Sequence, residues 1–379
     1  MKQINKQITV LHLVKTSIGA SWALRLMQRL KREGIDVHVA LPLGGPLIAA
    51  YLDAGIKIHE LDYSIKGFLK SCIKLRQIVK EVHPNIVHSH FVITTMVMRI
   101  ALRDFKIPRI FEVPGPLHLE NTFFRNIELL LRQKNDYWIP TCQWSFDRYL
   151  RSNISRDKLY LSYYGNDISH KQYQSGKLKE ELGLSHSDII IGMVAYMYAP
   201  KKFLGQKRGL KGHEDFIDAM KIVCDKYPNV YGVCIGGAWN GAVEYEKQVK
   251  EYGNRVCPKI HFLGTRKNIG ELYQDIAIAV HPSHSENLGG AAESLALGIP
   301  TIASNIGGFP DIVRDEETGL LVPVKDSLAL ALAIERMITN LEYAKSLALS
   351  GQKLVVNLMD IERTSNEMLE IYKDILKTK

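Results

Sequence analysis

The chain has 379 residues, 46% hydrophobic and 23% charged, enough apolar material for two ordinary cores and unlike a disordered or collagenous chain. Its five cysteines are scattered and include no Cys-x-x-Cys pair, which argues against a disulfide framework or a zinc site. The net charge of +9 resides in the first 170 positions, where 24 Lys and Arg face 14 Asp and Glu, while the remainder carries 25 against 26.

From the start, Ile8–Val14 alternates as a strand does, so Met1–Leu13 reads as structure rather than a signal sequence. A helix is expected over Ser21–Glu33, closed by Gly34, and a strand over Asp36–Leu41. Strands at Asn85–Ser89, Arg109–Val113 and Tyr137–Pro140 alternate with helices such as Phe68–Val82 and Thr122–Gln133. The apolar helical stretch Phe91–Leu102 is interrupted by Arg99 and falls short of the ~20 residues that span a bilayer. Around Gly165–Ser187 the chain turns polar, as a linker does.

The rhythm then restarts: strand Asp188–Ala195, helix His213–Lys226, and strands near Val230–Ile235, Lys259–Leu263, Ile276–His281, Pro300–Ala303 and Gly319–Val322. Helices near Ser327–Thr339, Glu342–Val355 and Ile361–Lys377 close the chain. Such βαβ alternation implies parallel sheets covered by helices. The expected architecture is α/β: two doubly wound Rossmann-like domains facing across a cleft, with ligands at the carboxyl ends of the strands. Boundaries are expected at 1–170, a linker over 171–187, a second domain over 188–355, and a C-terminal helix over 356–379 packing back on the N-terminal domain.

The segment from His281 to Ser304, HPSHSENLGGAAESLALGIPTIAS, reads as strand, short loop, helix opening near Gly289, a stop at Gly298, and strand. A helix start exposes unpaired N–H groups and partial positive charge, and glycines let a diphosphate approach them. Glu286 and Glu293 are seven apart, two turns if the helix reached Glu286, and carboxylates there accept hydrogen bonds from sugar and ribose hydroxyls.

Together with Lys211-Gly212-His213, Phe262-Leu263-Gly264 and the run from Ser304 to Val313 leading into Thr318–Pro323, this segment resembles the family 4 glycosyltransferases, retaining enzymes of the GT-B fold. The resemblance spans nearly the whole chain and is strongest over Gly192–Pro323. It implies transfer of a sugar from a nucleotide-diphosphate donor, UDP-linked by preference, to a saccharide or lipid-linked acceptor in cell-surface polysaccharide or glycolipid assembly. For a retaining transfer, attack from the leaving-group face is the expectation; no Asp-x-Asp pair or His/Cys cluster with ligand spacing occurs, so neither a metal nor a resident cofactor is expected. In this reading Glu293 binds the ribose and Glu286 the donor sugar, although the family spacing counts back to Ser285. The backbone of Asn287, Leu288, Gly289 and Gly290 cradles sugar and diphosphate, and Lys211 neutralises the leaving group. Thr265 and Arg266 border the base. In the first domain Gly19, within Thr16–Ala20, faces diphosphate and acceptor, and His118 stands near the reacting sugar as a catalytic group.

The family arginine after the first strand of the donor domain is here Tyr196. An insertion, Tyr198–Leu210, carries Lys201, Lys202, Lys207 and Arg208, of which Arg208 is the candidate replacement. Two alternatives remain: a sugar-nucleotide epimerase and a non-catalytic sugar-nucleotide binder. The basic first half fits an anionic membrane surface, a phosphorylated acceptor or simply a solvated face; no zinc-finger spacing, RNP-like motif or arginine-rich arm points to nucleic acid. The expected location is the cytoplasm, at the inner face of the membrane if the basic surface docks there.

Overall fold

The computed structural model describes residues 7–166, 176–201 and 205–377, which fall into two compact units. One unit runs to position 167 and takes back the chain from Leu358 onward; the other covers 168–357.

The first unit holds six parallel strands: β1 (Thr9–Leu13), β2 (Asp36–Leu41), β3 (Lys57–Glu60), β4 (Ile86–Ser89), β5 (Arg109–Val113) and β6 (Asp136–Pro140), in the order β3-β2-β1-β4-β5-β6. Helices cover both faces, so every residue of β4, β5 and β6 is buried. Helix Ser21–Arg32 turns Ala23, Leu24, Met27 and Leu30 inward at the three- and four-residue spacing of one helical face. Arg29, Lys31 and Arg32 sit in its last turn, where the helix dipole favours cations. The last helix, Ile361–Lys377, lays Met368, Ile371, Tyr372 and Ile375 into the same core. Arg99 is wholly buried: it pairs with Glu128 at 2.5 Å and Asp136 at 2.8 Å, its guanidinium faces Trp138, and Asp136 also holds Arg109 at 2.7 Å. Buried charges are tolerated only when paired in this way, and breaking such a pair costs about 3–5 kcal/mol.

The second unit repeats the plan with β7 (Ile189–Val194), β8 (Val230–Ile235), β9 (Ile260–Phe262), β10 (Ile276–His281), β11 (Thr301–Ser304) and β12 (Leu320–Val322), all parallel, ordered β12-β11-β10-β7-β8-β9. Counted from β7, this is the 3-2-1-4-5-6 order of the first unit, the doubly wound arrangement. Helix His213–Lys226 packs Phe216, Ile217, Met220 and Val223 beside Leu330, Ile334 and Met337 of helix Ser327–Thr339.

Two differences from the sequence reading have physical causes. Strand β3 and helix Leu47–Asp53 escape a pattern search because β3 is a four-residue edge strand with exposed ends and no alternation, and the helix is under two turns. Positions 171–175 of the expected linker lie outside the described residues, while Lys177–Glu181 is a helix of the second unit. Its Leu178 is wholly buried, and the Asp275 carboxylate accepts from the amides of Gly176 (2.5 Å), Leu178 (2.7 Å) and Lys179 (3.3 Å).

Candidate active site

In the second unit the chain leaves β7 and β10, adjacent and parallel, towards opposite edges of the sheet. Just beyond their carboxyl ends, at the switch point where doubly wound sheets bind ligands, lies a cavity of about 270 Å³. Tyr196 and Tyr198 after β7, Lys211, Thr265 and Arg266 after β9, and Glu286, Gly290 and Glu293 after β10 all face it.

Lys211 Nζ forms an ion pair with Glu286 in which both side chains are largely buried. The loops that bring them together touch at backbone level. Gly212 has φ +74°, and a Cβ there would stand 2.0 Å from the Pro282 carbonyl oxygen, so only glycine allows this approach. The His284 amide donates to Leu210 O at 2.8 Å, and the His284 ring contacts the Asp215 carboxylate. Arg208, expected to supply a second cation, belongs to this brace instead. It pairs with Asp215 at 2.6 Å and Asp218 at 2.7 Å and is not part of the cavity wall. Two carboxylates on adjacent turns of the helix are a stronger local attraction than an open cavity. Lys202 lies outside the described residues.

The helix Gly289–Ala296 begins at the cavity. A Cβ on Gly289 would come within 2.8 Å of the Glu286 carboxylate, and one on Gly290 within 2.9 Å of the His281 ring, so both glycines let the helix start close on the site. Glu286 stands before this helix, and the two-turn relation to Glu293 does not apply; a loop and a first turn bring both into one wall. Of the two register candidates, Glu286 reaches the cavity while Ser285 is buried away from it. The Asn287 amide donates to Glu286 Oε1 at 3.1 Å, and Leu288 is buried and does not line the cavity. Glu293 opens to solvent through the cavity but is crowded by protein, and that desolvation raises its carboxyl above the ordinary range. No described residue hydrogen-bonds to its carboxylate or pairs with it, so the carboxylate oxygens are free to accept hydroxyls. His281 beneath is fully buried; burial and then Lys211 push it down to about 3, leaving a neutral ring 3.0 Å from Ser294 Oγ. Arg266, on the cavity wall beside Thr265, is held by an ion pair with Glu181 and by the Leu263 carbonyl, 3.1 Å from its Nε.

In the first unit, Gly19 sits in an exposed loop after β1 whose anchor is Ser17: its Oγ accepts from the Gly45 amide at 3.1 Å and its carbonyl from Leu47 at 3.1 Å. His118, expected at the reacting sugar, is buried against Phe111 with Nε2 3.2 Å from Tyr149 Oη. Burial holds it at about 4, a neutral packing residue. It lies in the short helix Leu117–Glu120 that follows β5, whose Leu119 is also wholly buried.

Sequence reasoning missed a buried chain of imidazoles at this sheet's own switch point. His12 Nδ1 faces His90 Nε2 at 2.9 Å, His90 Nδ1 meets Glu112 at 2.7 Å, His88 Nε2 meets Glu112 at 3.2 Å, and His88 Nδ1 meets Tyr372 Oη at 2.6 Å. Two nitrogens bound to one zinc ion would stand about 3.3 Å apart, so the 2.9 Å separation is that of a hydrogen bond. Burial opposes ionisation of Glu112, but His90 and His88 outweigh it and hold the carboxyl at about 2. The signal was histidine at alternate positions, His88 and His90, at the end of the buried strand β4.

A pair of 3-2-1-4-5-6 sheets, one carrying a cation, carboxylates and a glycine-led helix at its switch point, defines a two-domain α/β protein of the GT-B fold. The "Glycosyl transferases group 1" family matches residues 202–354 and "Glycosyltransferase Family 4" matches residues 19–170. The chain belongs to the group 1, family 4 glycosyltransferases, enzymes of sugar transfer. Its relatives include the capsular polysaccharide biosynthesis glycosyltransferase CapM of Staphylococcus aureus, 25% identical over 98% of each chain. The UDP-Gal:alpha-D-GlcNAc-diphosphoundecaprenol alpha-1,3-galactosyltransferase of Escherichia coli is 23% identical over 100% of each. Among solved structures, Anabaena HepE in complex with UDP and glucose has a TM-score of 0.79 and 18% identity, covering 97% of this chain and 100% of its own.

Proposed function

We propose that the second unit binds a nucleotide-diphosphate sugar, UDP-linked by preference, and that the enzyme transfers the sugar with retention to a saccharide or lipid-linked acceptor. The observation that carries this reading is the Lys211–Glu286 pair set against the start of helix Gly289–Ala296, with the unpartnered Glu293 on the same wall. Ribose hydroxyls donate to Glu293 and sugar hydroxyls to Glu286, while the diphosphate takes Lys211 and the helix-start amides. As the bond from the anomeric carbon to the phosphate oxygen breaks, its electron pair goes to the diphosphate, where Lys211 and those amides hold the charge without a metal ion. The acceptor oxygen bonds to the anomeric carbon from the same face and gives its proton to the departing phosphate oxygen. Uridine is favoured because the Escherichia coli relative is a UDP-Gal transferase and Anabaena HepE, which shares this fold, is found in complex with UDP.

The acceptor is proposed to be lipid-linked, with the first unit resting on an anionic bilayer. Two helices of the first unit, Ser21–Arg32 and Phe68–Val82, are rich in basic residues. In Ser21–Arg32, Arg29 is paired with Glu362 and Lys31 with Asp36. Beside helix Phe68–Val82, Ile65, Leu69 and Ile73 are 86%, 74% and 60% exposed at four-residue spacing, next to exposed Lys66, Lys70 and Lys74, of which Lys74 pairs with Glu60 at 3.3 Å. An apolar strip flanked by lysines suits a headgroup interface, so we favour the second helix. No described helix is long and apolar enough to cross a membrane.

The reading is tested by thermal shift against UDP-, GDP- and ADP-sugars, then by transfer with the binding donor in the presence of EDTA. A ligand at 100 times its dissociation constant stabilises by about 2.7 kcal/mol. No shift with any of them refutes the donor site; an epimerised sugar nucleotide in the absence of acceptor refutes the transferase.

A further inference from the structure

Tyr196 stands where the family arginine would be, and two further aromatic rings lie beside it. Tyr196 and Tyr198 line the cavity after β7, and Trp239, after β8, lies 5.1 Å from Tyr196 and 5.4 Å from Tyr198, at 25° to the latter ring. A short extension of the sheet fixes them. The Met197 amide donates to Gly237 O at 2.8 Å and the Trp239 amide to Met197 O at 3.0 Å, with the Met197 side chain fully buried between. Despite this support Tyr196 is 42% and Trp239 44% exposed. Large rings held rigid yet left open beside a binding cavity mark a contact surface.

Their position decides what they contact. Lys211 Nζ lies 5.4 Å from the centre of the Tyr198 ring, so the rings stand at the Lys211–Glu286 end of the cavity. An aromatic face is electron-rich: it repels phosphate oxygens and attracts polarised C–H groups. A pyranose ring offers one face of such C–H groups, with hydroxyls around its edge for Glu286.

We propose that Tyr196, Tyr198 and Trp239 form an aromatic wall that receives the C–H face of a pyranose at the Lys211 end of the cavity. The inference rests on the reading of this cavity as a nucleotide-sugar site. The pyranose belongs either to the donor or to the end of a saccharide acceptor, and the chemistry is the same for both.

The test measures dissociation constants of UDP, GDP and ADP, and of their glucose and N-acetylglucosamine conjugates, for wild type, Tyr196→Ala, Trp239→Ala and Tyr196→Phe. Fluorescence titration with methyl glucoside and methyl N-acetylglucosaminide in the presence of the binding nucleotide follows. Both replaced residues are largely exposed, and unchanged melting temperatures establish that the variants fold. If the donor sugar meets the wall, the alanine variants bind the sugar conjugate about tenfold more weakly while the diphosphate alone binds within twofold of wild type, and Tyr196→Phe behaves as wild type. If the acceptor sugar meets it, conjugate affinities stay the same and the glycoside signal disappears in the alanine variants. Equal weakening of diphosphate and conjugate shows the rings holding the nucleotide and overturns the wall. No change in conjugate or glycoside binding also overturns it, with the nucleotide site intact. A wild type that binds no nucleotide brings down the donor-site reading itself, and the wall with it.

Discussion

Lys211→Ala removes from the cavity an ammonium whose side chain is 17% exposed and whose partner Glu286 is 13% exposed. Unit charges 4 Å apart at an effective dielectric of 20 attract by about 4 kcal/mol. A bound diphosphate must compete with Glu286 for that ammonium, which reduces the net contribution to about 3 kcal/mol, on the order of a hundredfold in affinity or rate. The loss also leaves the Glu286 carboxylate facing the diphosphate with no cation between them. Adding Glu286→Gln to the Lys211→Ala background should therefore recover part of the diphosphate affinity. Calorimetric titration with UDP and with uridine separates the effect from general damage, because uridine carries no phosphate for Lys211 to hold. The expected result is UDP binding weakened about a hundredfold and uridine binding unchanged, with a ligand-free melting temperature lowered by the stranded Glu286 carboxylate but still a single cooperative transition. Equal weakening of UDP and uridine, or UDP binding at wild-type strength, would show that Lys211 does not meet the diphosphate.

Glu286→Gln should cut transfer sharply while UDP binding survives, and Ser285→Ala should be mild because Ser285 is buried off the cavity wall; the reverse ranking in a transfer assay would move the sugar contact to Ser285. Acid should destabilise the fold through its buried imidazoles: burial holds His88, His118 and His213 at about 4 and His281 at about 3, against about 6.5 in the unfolded chain. The unfolded chain alone takes up these protons between pH 6.5 and 4, so each ring contributes stability in full above 6.5 and loses up to about 3 kcal/mol of it by pH 4. Urea midpoints at pH 7.5 and 5.0 measure this, and a flat profile contradicts it. The first unit should co-sediment with anionic vesicles at low salt and release at high salt, at about 1 kcal/mol per lysine near the surface. Lys70→Glu with Lys74→Glu should abolish the binding, whereas Arg25→Glu with Arg32→Glu should not; the opposite pattern assigns the contact to helix Ser21–Arg32.

Much of the architecture could be read before any coordinates because covered parallel strands and long amphipathic helices write themselves into local pattern. Helices Phe68–Val82, His213–Lys226 and Ile361–Lys377 and strands Arg109–Val113 and Val230–Ile235 are found at their expected bounds. The loop and helix start from His281 to Ala296 were equally legible, since glycine, polar residues and an apolar run occur there in fixed order over a short span. What depended on contacts distant in sequence was not legible. Arg208 goes to Asp215 and Asp218 rather than to the cavity, His118 turns inward to Tyr149, and the cluster of His12, His88, His90 and Glu112 is joined through His88 to Tyr372 from the far end of the chain. Local periodicity records which face of an element is buried, but a charged or aromatic side chain chooses among partners that only folding brings within hydrogen-bond reach. The energy of that choice is set by burial and pairing, so the tertiary structure alone decided which of these polar residues stand at the site and which brace it.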